Sequence, residues 1–132
     1  IATYTYTDSV ITQMNDGTVG NRFPNVPKHA GSLWATYRFQ EPRLTGWKVG
    51  AGLVARGERE GNRENDYQMP GYVLVNLMAS YTMHVGATRL TAQLNVDNLL
   101  GQEYFPSSAG FGRGRIDIGT PRFFLGSLKM EF

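Results

Sequence analysis

Few residues in this chain could carry chemistry, and they are scattered. His29 and His84 are its only histidines, one closing a long polar stretch and the other beside a short turn. A general base must lie within hydrogen-bond reach of a partner. The two histidines fall at opposite ends of the alternating runs described below, so both are expected to be solvated surface. The run Gly110-Phe111-Gly112-Arg113-Gly114-Arg115 has the look of a phosphate-cradling loop, but it lacks the third glycine of G-x-G-x-x-G and leads into no helical pattern. Glu58, Glu60, Glu64 and Asp66 could be drawn around a hard cation. Arg56, Arg59 and Arg63 interleave with them, and calcium sites need carboxylates that converge without competing cations, so a solvated loop of mixed charge is the expectation. The sequence assigns no catalytic residue, no resident metal and no cofactor.

The stretch best suited to binding is residues 101–120. Tyr104, Phe105, Phe111, Arg113 and Arg115 set flat apolar surface beside cations, a combination fitted to a ligand with aromatic or anionic groups. Glycines around Phe111 let such a loop adapt. Tyr67, in an earlier loop, is a companion. The competing reading is a flexible loop that is merely solvated.

These loops hang between runs of strict alternation. Ala2, Tyr4 and Tyr6 alternate with Thr3, Thr5 and Thr7, the aromatic and β-branched composition of a strand. After a polar loop at 13–28, Gly31, Leu33, Ala35, Tyr37 and Phe39 face one way and Ser32, Trp34, Thr36 and Arg38 the other. A short connection at 40–46 leads to a third run, with Trp47, Val49, Ala51, Leu53 and Ala55 opposite Lys48, Gly50, Gly52, Val54, Arg56 and Glu58. A second long loop runs to Pro70. The fourth run sets Val73, Val75, Leu77, Ala79, Tyr81 and Met83 against Tyr72, Leu74, Asn76, Met78, Ser80 and Thr82. Val85-Gly86-Ala87 is a tight turn, and the fifth run sets Leu90, Ala92, Leu94 and Val96 against Arg89, Thr91, Gln93, Asn95 and Asp97. Beyond the third long loop the last run sets Phe124, Gly126, Leu128, Met130 and Phe132 against Phe123, Leu125, Ser127, Lys129 and Glu131.

Alternation alone equally describes a soluble sheet with one buried face. Three features favour a membrane wall. The connections alternate long and short, as external loops and periplasmic turns do in an up-and-down barrel. Apolar-face aromatics gather near the short turns, at Tyr37, Phe39, Trp47, Tyr81 and Phe132, as an interfacial girdle would, with Tyr6 and Phe124 placed for the opposite one. The chain also ends inside a strand, on an aromatic. The expected fold is therefore all-β, an antiparallel up-and-down transmembrane β-barrel. Six strands are too few to close, since the smallest such barrels have about 8.

Composition agrees with this. The 132 residues contain no run near the ~20 apolar residues of a spanning helix, and the slightly negative mean hydropathy is what alternating strands produce. Thirteen basic against 11 acidic side chains give no basic stripe, hence no nucleic-acid partner. The absence of cysteine removes disulfides and thiolate metal sites. The chain opens mid-pattern without Met or signal peptide, which is expected of a C-terminal fragment of a longer secreted precursor.

Asn25-Val26-Pro27-Lys28-His29 before Ser32-Leu33-Trp34, Met69-Pro70-Gly71-Tyr72, Leu94-Asn95-Val96-Asp97-Asn98-Leu99-Leu100, Glu103-Tyr104, Gly119-Thr120-Pro121-Arg122 and the terminal Phe132 together give the chain a family likeness. It resembles the C-terminal end of TonB-dependent outer-membrane receptors, in particular the ferric-siderophore group. The resemblance implies that residues 1–132 are the last six strands of a plugged barrel of about 22 strands in the bacterial outer membrane, with the plug and earlier strands absent. It also implies a ferric siderophore as transported ligand, TonB engaged through the missing N-terminal part, and Phe132 as the assembly signal by which the closing strand meets the barrel-assembly machinery. Inward Thr, Gln, Asn, Lys and Arg would make a wettable wall, and outward Leu, Val and Ala would meet outer-membrane lipid. The alternatives at this point are a soluble β-sheet binding module and a small outer-membrane barrel protein. An enzyme of the latter kind would need an inward Ser/His or Asp/His group at one level, and the sequence offers none.

Overall fold

The computed structural model describes residues 1–112 and 114–132, and the six alternating runs are six strands of one antiparallel sheet. They are β1 (Ala2–Tyr6), β2 (His29–Arg38), β3 (Trp47–Arg56), β6 (Tyr72–Val85), β7 (Thr88–Asp97) and β8 (Phe123–Glu131); a small ribbon of β4 (Arg59–Glu60) and β5 (Gln68–Met69) interrupts the second long loop. The spatial order is β1-β2-β3-β6-β7-β8, so each main strand pairs with its neighbour along the chain. Among the described residues the one helical segment is a single 3-10 turn, Pro42–Leu44.

Residues opposite one another in a ladder share a face, so the register sorts the side chains. Ala35, Ala51, Leu77, Val96 and Phe124 form one continuous row, and Tyr37, Val49, Ala79, Leu94 and Gly126 the next on the same face. The opposite face carries the row Arg38, Lys48, Ser80, Gln93 and Ser127. The apolar face is uncovered: Leu33, Leu94 and Leu128 are 50%, 47% and 66% exposed, and among the described residues the buried apolar side chains are only Ile11, Met69 and Met78. A sheet in water hides its apolar face against a second layer, and a patch spread over six strands far exceeds what soluble monomers tolerate. The soluble-sheet alternative fails on that point; a wall whose apolar face meets lipid satisfies it.

Strand length and offset fit the same wall. β2, β3 and β7 have 10 residues and β8 has 9, close to the ~9–11 that a tilted strand needs to cross. β6 is longer, at 14 residues, because it serves two offset ladders. Its segment Tyr72 to Tyr81 pairs with β3, whereas Leu77 to Val85 pairs with β7. That stagger is the shear by which barrel strands tilt against the axis. Tyr6 and Phe124 each lie at the loop end of their own strand.

At the turn end the chain reverses tightly. Gly86 has φ +62 while Ala87 does not share the positive sign, the pattern of a type II′ hairpin between Val85 and Thr88. The aromatics gather here, with Tyr37 edge-on to Phe39 and Trp47 against Tyr81, each pair 5.1 Å between ring centroids. On the polar face Trp34 lies across β3, where a Cβ on Gly52 would stand 2.1 Å from its ring. One sequence boundary needs correction. β3 ends at Arg56 and does not continue through Glu58, because after the Gly57 amide bonds to the His29 carbonyl at 2.8 Å the chain turns into the β4–β5 ribbon.

Candidate functional site

The three long loops meet at the other end of the sheet and are tied together by side chains. Backbone that leaves a ladder still needs partners for its N–H and C=O groups, and here one asparagine in each loop supplies them. Asn25, Asn65 and Asn98 are the three non-glycine residues with positive φ among those described, at 63°, 54° and 50°. Asparagine tolerates that region better than other side chains because its short amide bonds locally. Asn25 Oδ1 accepts the Ser108 amide at 2.8 Å while its Nδ2 donates to the Ser108 carbonyl at 3.1 Å, joining the first loop to the third. Asn65 clamps Arg22 from both sides, accepting its N–H at 2.7 Å and donating to its carbonyl at 2.9 Å. Asn98 closes the foot of the third loop through Gln102 N, Gln102 O and Thr120 O.

A second tie is Arg59, only 1% exposed. Its guanidinium donates to the Phe105 carbonyl, reaches the Pro70 carbonyl at 3.5 Å and lies 5.5 Å from the centre of the Tyr72 ring, which packs against Tyr104 at 4.6 Å. Burial lowers the Arg59 pKa from its usual value, with Tyr72 opposing, yet a guanidinium keeps its proton under these conditions. Glu60 beside it is buried and accepts Gln68 Nε2 at 3.0 Å. The expectation of a solvated mixed-charge loop at 58–66 is thus corrected for its centre, because pairing of β4 with β5 places Arg59 under the third loop and buries Glu60 beside it.

The structure divides the six sequence-derived binding residues. Tyr67 folds back over Gly61 and donates its hydroxyl to that residue's carbonyl at 3.0 Å. Tyr104 sits between Tyr72 and Gly119, where a Cβ on Gly119 would be 2.3 Å from the Tyr104 ring. Phe105 gives its carbonyl to Arg59 and leaves 37% of its surface exposed. These three brace the loops. Phe111 projects, 68% exposed, and Arg115 is open to solvent while paired with Asp117 at 3.0 Å. Arg113 lies outside the described residues.

Phe111 sits at the tip of a hairpin whose stem is fixed. Ser108 bridges to Ile116, the Asp117 amide bonds to Ser107 O at 2.8 Å, and Ser107 Oγ donates to Asp117 Oδ2 at 2.6 Å. That hydroxyl, then the Arg115 guanidinium, hold the Asp117 carboxyl below the usual carboxylate range. Gly110 at the top of the stem bridges to Asn62 and accepts the Arg63 amide at 3.2 Å. The histidines stay apart: His29 Nδ1 is 2.8 Å from the Tyr4 hydroxyl at the loop end, and His84 lies opposite Arg89 near the turn end. Sequence reasoning missed the asparagine hubs and Arg59. The available signal was indirect: Asn25, Asn98, Tyr72 and Tyr104 all fall inside the segments that carried the family likeness.

Comparison with known proteins agrees with this architecture. Residues 1–99 match the family described as TonB dependent receptor-like, beta-barrel. The chain is 34% identical over its whole length to the metal-pseudopaline receptor CntO of Pseudomonas aeruginosa, and 36% identical over 81% of its length to the ferrichrome outer membrane transporter/phage receptor of Escherichia coli K12. It spans 18% and 14% of those two proteins. Among solved structures, the siderophore receptor PiuA of Acinetobacter baumannii is similar at 31% identity and a TM-score of 0.76, covering 98% of this chain and 19% of that one. BauA, the ferric preacinetobactin receptor of the same species, shares the fold with a TM-score of 0.85 at 24% identity, with the same coverage. The chain belongs to the TonB-dependent receptor-like β-barrel family, and its six strands are part of an outer-membrane barrel wall.

Proposed function

We propose that this chain is the closing, C-terminal portion of a receptor that binds a ferric siderophore outside the cell and passes it through a plugged barrel of about 22 strands at the expense of TonB-coupled energy. The observation that carries the reading is the sheared wall with an uncovered apolar face, capped at one end by a braced loop layer from which Phe111 projects. Lipid meets the apolar face, the polar face lines the lumen, and the external loops take the chelate. The relatives named for ferrichrome and pseudopaline support a metal chelate as the class of cargo. In this reading the protein is a transport receptor and not an enzyme. The plug and the TonB-contacting segment belong to other parts of the longer protein, and Phe132 lies where the assembly machinery reads the last strand.

The test uses the intact receptor in cells with and without TonB, offered radiolabelled ferrichrome and ferrioxamine B as chelates. TonB-dependent uptake of either is expected. Phe111→Ala should weaken chelate binding several-fold, as loss of a contact aromatic does, with assembled receptor unchanged. Removing Phe132 should instead lower heat-modifiable, folded receptor without altering affinity per receptor. Receptor that reaches the outer membrane but neither binds nor imports any ferric chelate would overturn the assignment.

A further inference from the structure

At the loop end of its outer face the wall holds a groove of about 720 Å³. The floor is Gly31 and Ala55, which with Tyr4 and Val73 form one row across β1, β2, β3 and β6. Tyr4 and His29 stand on one side of it, Val73 and the exposed Leu100 on the other. The depression is built in: a Cβ on Gly31 would lie 2.9 Å from the Thr3 carbonyl oxygen, so no side chain can rise there without moving β1. His29 is braced against two rings, its centre 6.2 Å from that of Tyr4 and 5.3 Å from that of Tyr6. Its Nδ1 lies 2.8 Å from the Tyr4 hydroxyl, and this pair keeps one hydrogen to give in either neutral tautomer. If Nδ1 accepts from Tyr4, the Nε2–H is free to donate; if Nδ1–H donates, the hydroxyl retains its own proton for another acceptor. Neither side chain has a further hydrogen-bond partner among the described residues.

We propose that this groove seats one acyl chain of an outer-leaflet glycolipid, with the ester or amide carbonyl that links the chain to its headgroup accepting from the Tyr4–His29 pair. Three observations choose that occupant. The groove opens on the face that meets lipid, at the end from which the long loops leave, which in an outer-membrane barrel is the level of the outer leaflet. Its apolar floor continues toward the midplane through Leu33, Leu53 and Val75, the direction in which an acyl chain runs. Its donors stand at the level of Tyr4 and Tyr6, and aromatic belts mark the headgroup boundary, where chain-linking carbonyls lie. A donor at that depth meets little water, so pairing with a carbonyl is favoured. Contact with a floor and two walls also gives a chain more dispersion attraction than a convex surface would. The groove therefore holds its lipid more firmly than the rest of the outer face holds the surrounding bilayer. The site rests on the outer-membrane wall and is independent of what the receptor carries.

The experiment takes the intact receptor, stripped of lipid in detergent, and offers it lipid A, with phosphatidylethanolamine in parallel. Native mass spectrometry counts the lipid retained, and heat-modifiability verifies that each variant is folded. The wild type should keep one lipid A through washing that removes the phospholipid. Ala55→Phe fills the floor with another apolar group, which a lipid-facing surface accommodates, and should bind lipid A at least about tenfold more weakly. Ala35→Phe, on the same face but outside the groove, should match the wild type. Tyr4→Phe combined with His29→Leu removes both donors while keeping the walls apolar, so it should weaken retention several-fold; it decides the matter alone if Ala55→Phe does not assemble. A wild type that keeps no lipid A, or that keeps phosphatidylethanolamine equally well, would overturn the site. So would either folded groove variant that retains lipid A as the wild type does.

Discussion

The wall and the loop layer are built by different means. In the wall, regular ladders from β1 to β8 satisfy the backbone, and side chains on its outer face need only be apolar. In the loop layer the ladder is reduced to the two-residue ribbon β4–β5 and isolated bridges, and particular side chains, Asn25, Asn65, Asn98 and Arg59, take up backbone groups that these leave open. The outer face of the wall therefore tolerates exchange among apolar residues but not charge. The loop layer should show the reverse: exposed charges are exchangeable, while single amides are not.

The sharpest way to break that contrast is a charge on the outer face. Leu128 lies one residue from the middle of β8, and Leu128→Arg should destabilise the folded barrel by about 2–4 kcal/mol. Its neighbour Lys129 points to the lumen side, and Lys129→Leu should change stability far less. Urea titration of the intact receptor in lipid reads both, and equal sensitivity would remove the distinction between faces.

A smaller effect is expected in the loop layer. Asn98→Ala deletes the side-chain bonds to Gln102 and Thr120 at a residue that is 3% exposed, and should cost about 2 kcal/mol. Asn98→Gly keeps access to the left-handed backbone but loses the same bonds, so it should recover only part of that loss. Complete recovery by glycine would show that conformation, not the amide, holds the foot of the third loop.

The smallest effect concerns the Phe111 hairpin. Asp117 has a folded pKa below its unfolded one, because Ser107 and then Arg115 stabilise the carboxylate. Its contribution is present above the ordinary carboxylate pKa of about 3.9 and is lost as pH falls through the lower folded value. Hydrogen exchange at the Asp117 amide should accelerate relative to the wall amides once acidification protonates this group, and Asp117→Asn should remove the difference. A pH-independent ratio would mean that the stem is held by its backbone bonds alone.

The same division explains what was legible in the sequence. The wall repeats every second residue, so the faces of Leu94, Val96, Leu128 and Met130 could be assigned from spacing, and the register agrees with each. The loop layer has no period. Its decisive bonds join residues far apart in the chain, as Asn25 does to Ser108 and Asn65 to Arg22, and composition does not reveal which amide meets which carbonyl. Arg59 looked like one of three interchangeable loop cations alongside Arg56 and Arg63; pairing of β4 with β5 selects it for burial. Tyr104 and Tyr67 were singled out for their flat rings, and the structure uses those rings to cover Gly119 and Gly61. Phe111 was placed in a loop correctly, but the bridge that makes a stem beneath it spans the glycine run and has no alternating signature.

The fourteen residues of β6, shared between two offset ladders, also have a mechanical consequence. Because neighbouring strands slide past one another along the wall, the hydrogen-bond rows run obliquely to the barrel axis. A pull along that axis cannot open one row at a time like a zip; it loads many bonds of adjoining ladders together in shear. If the wall serves transport as proposed, cargo drawn through the lumen would tug on a stiff cylinder, and the yielding would be confined to whatever fills the bore.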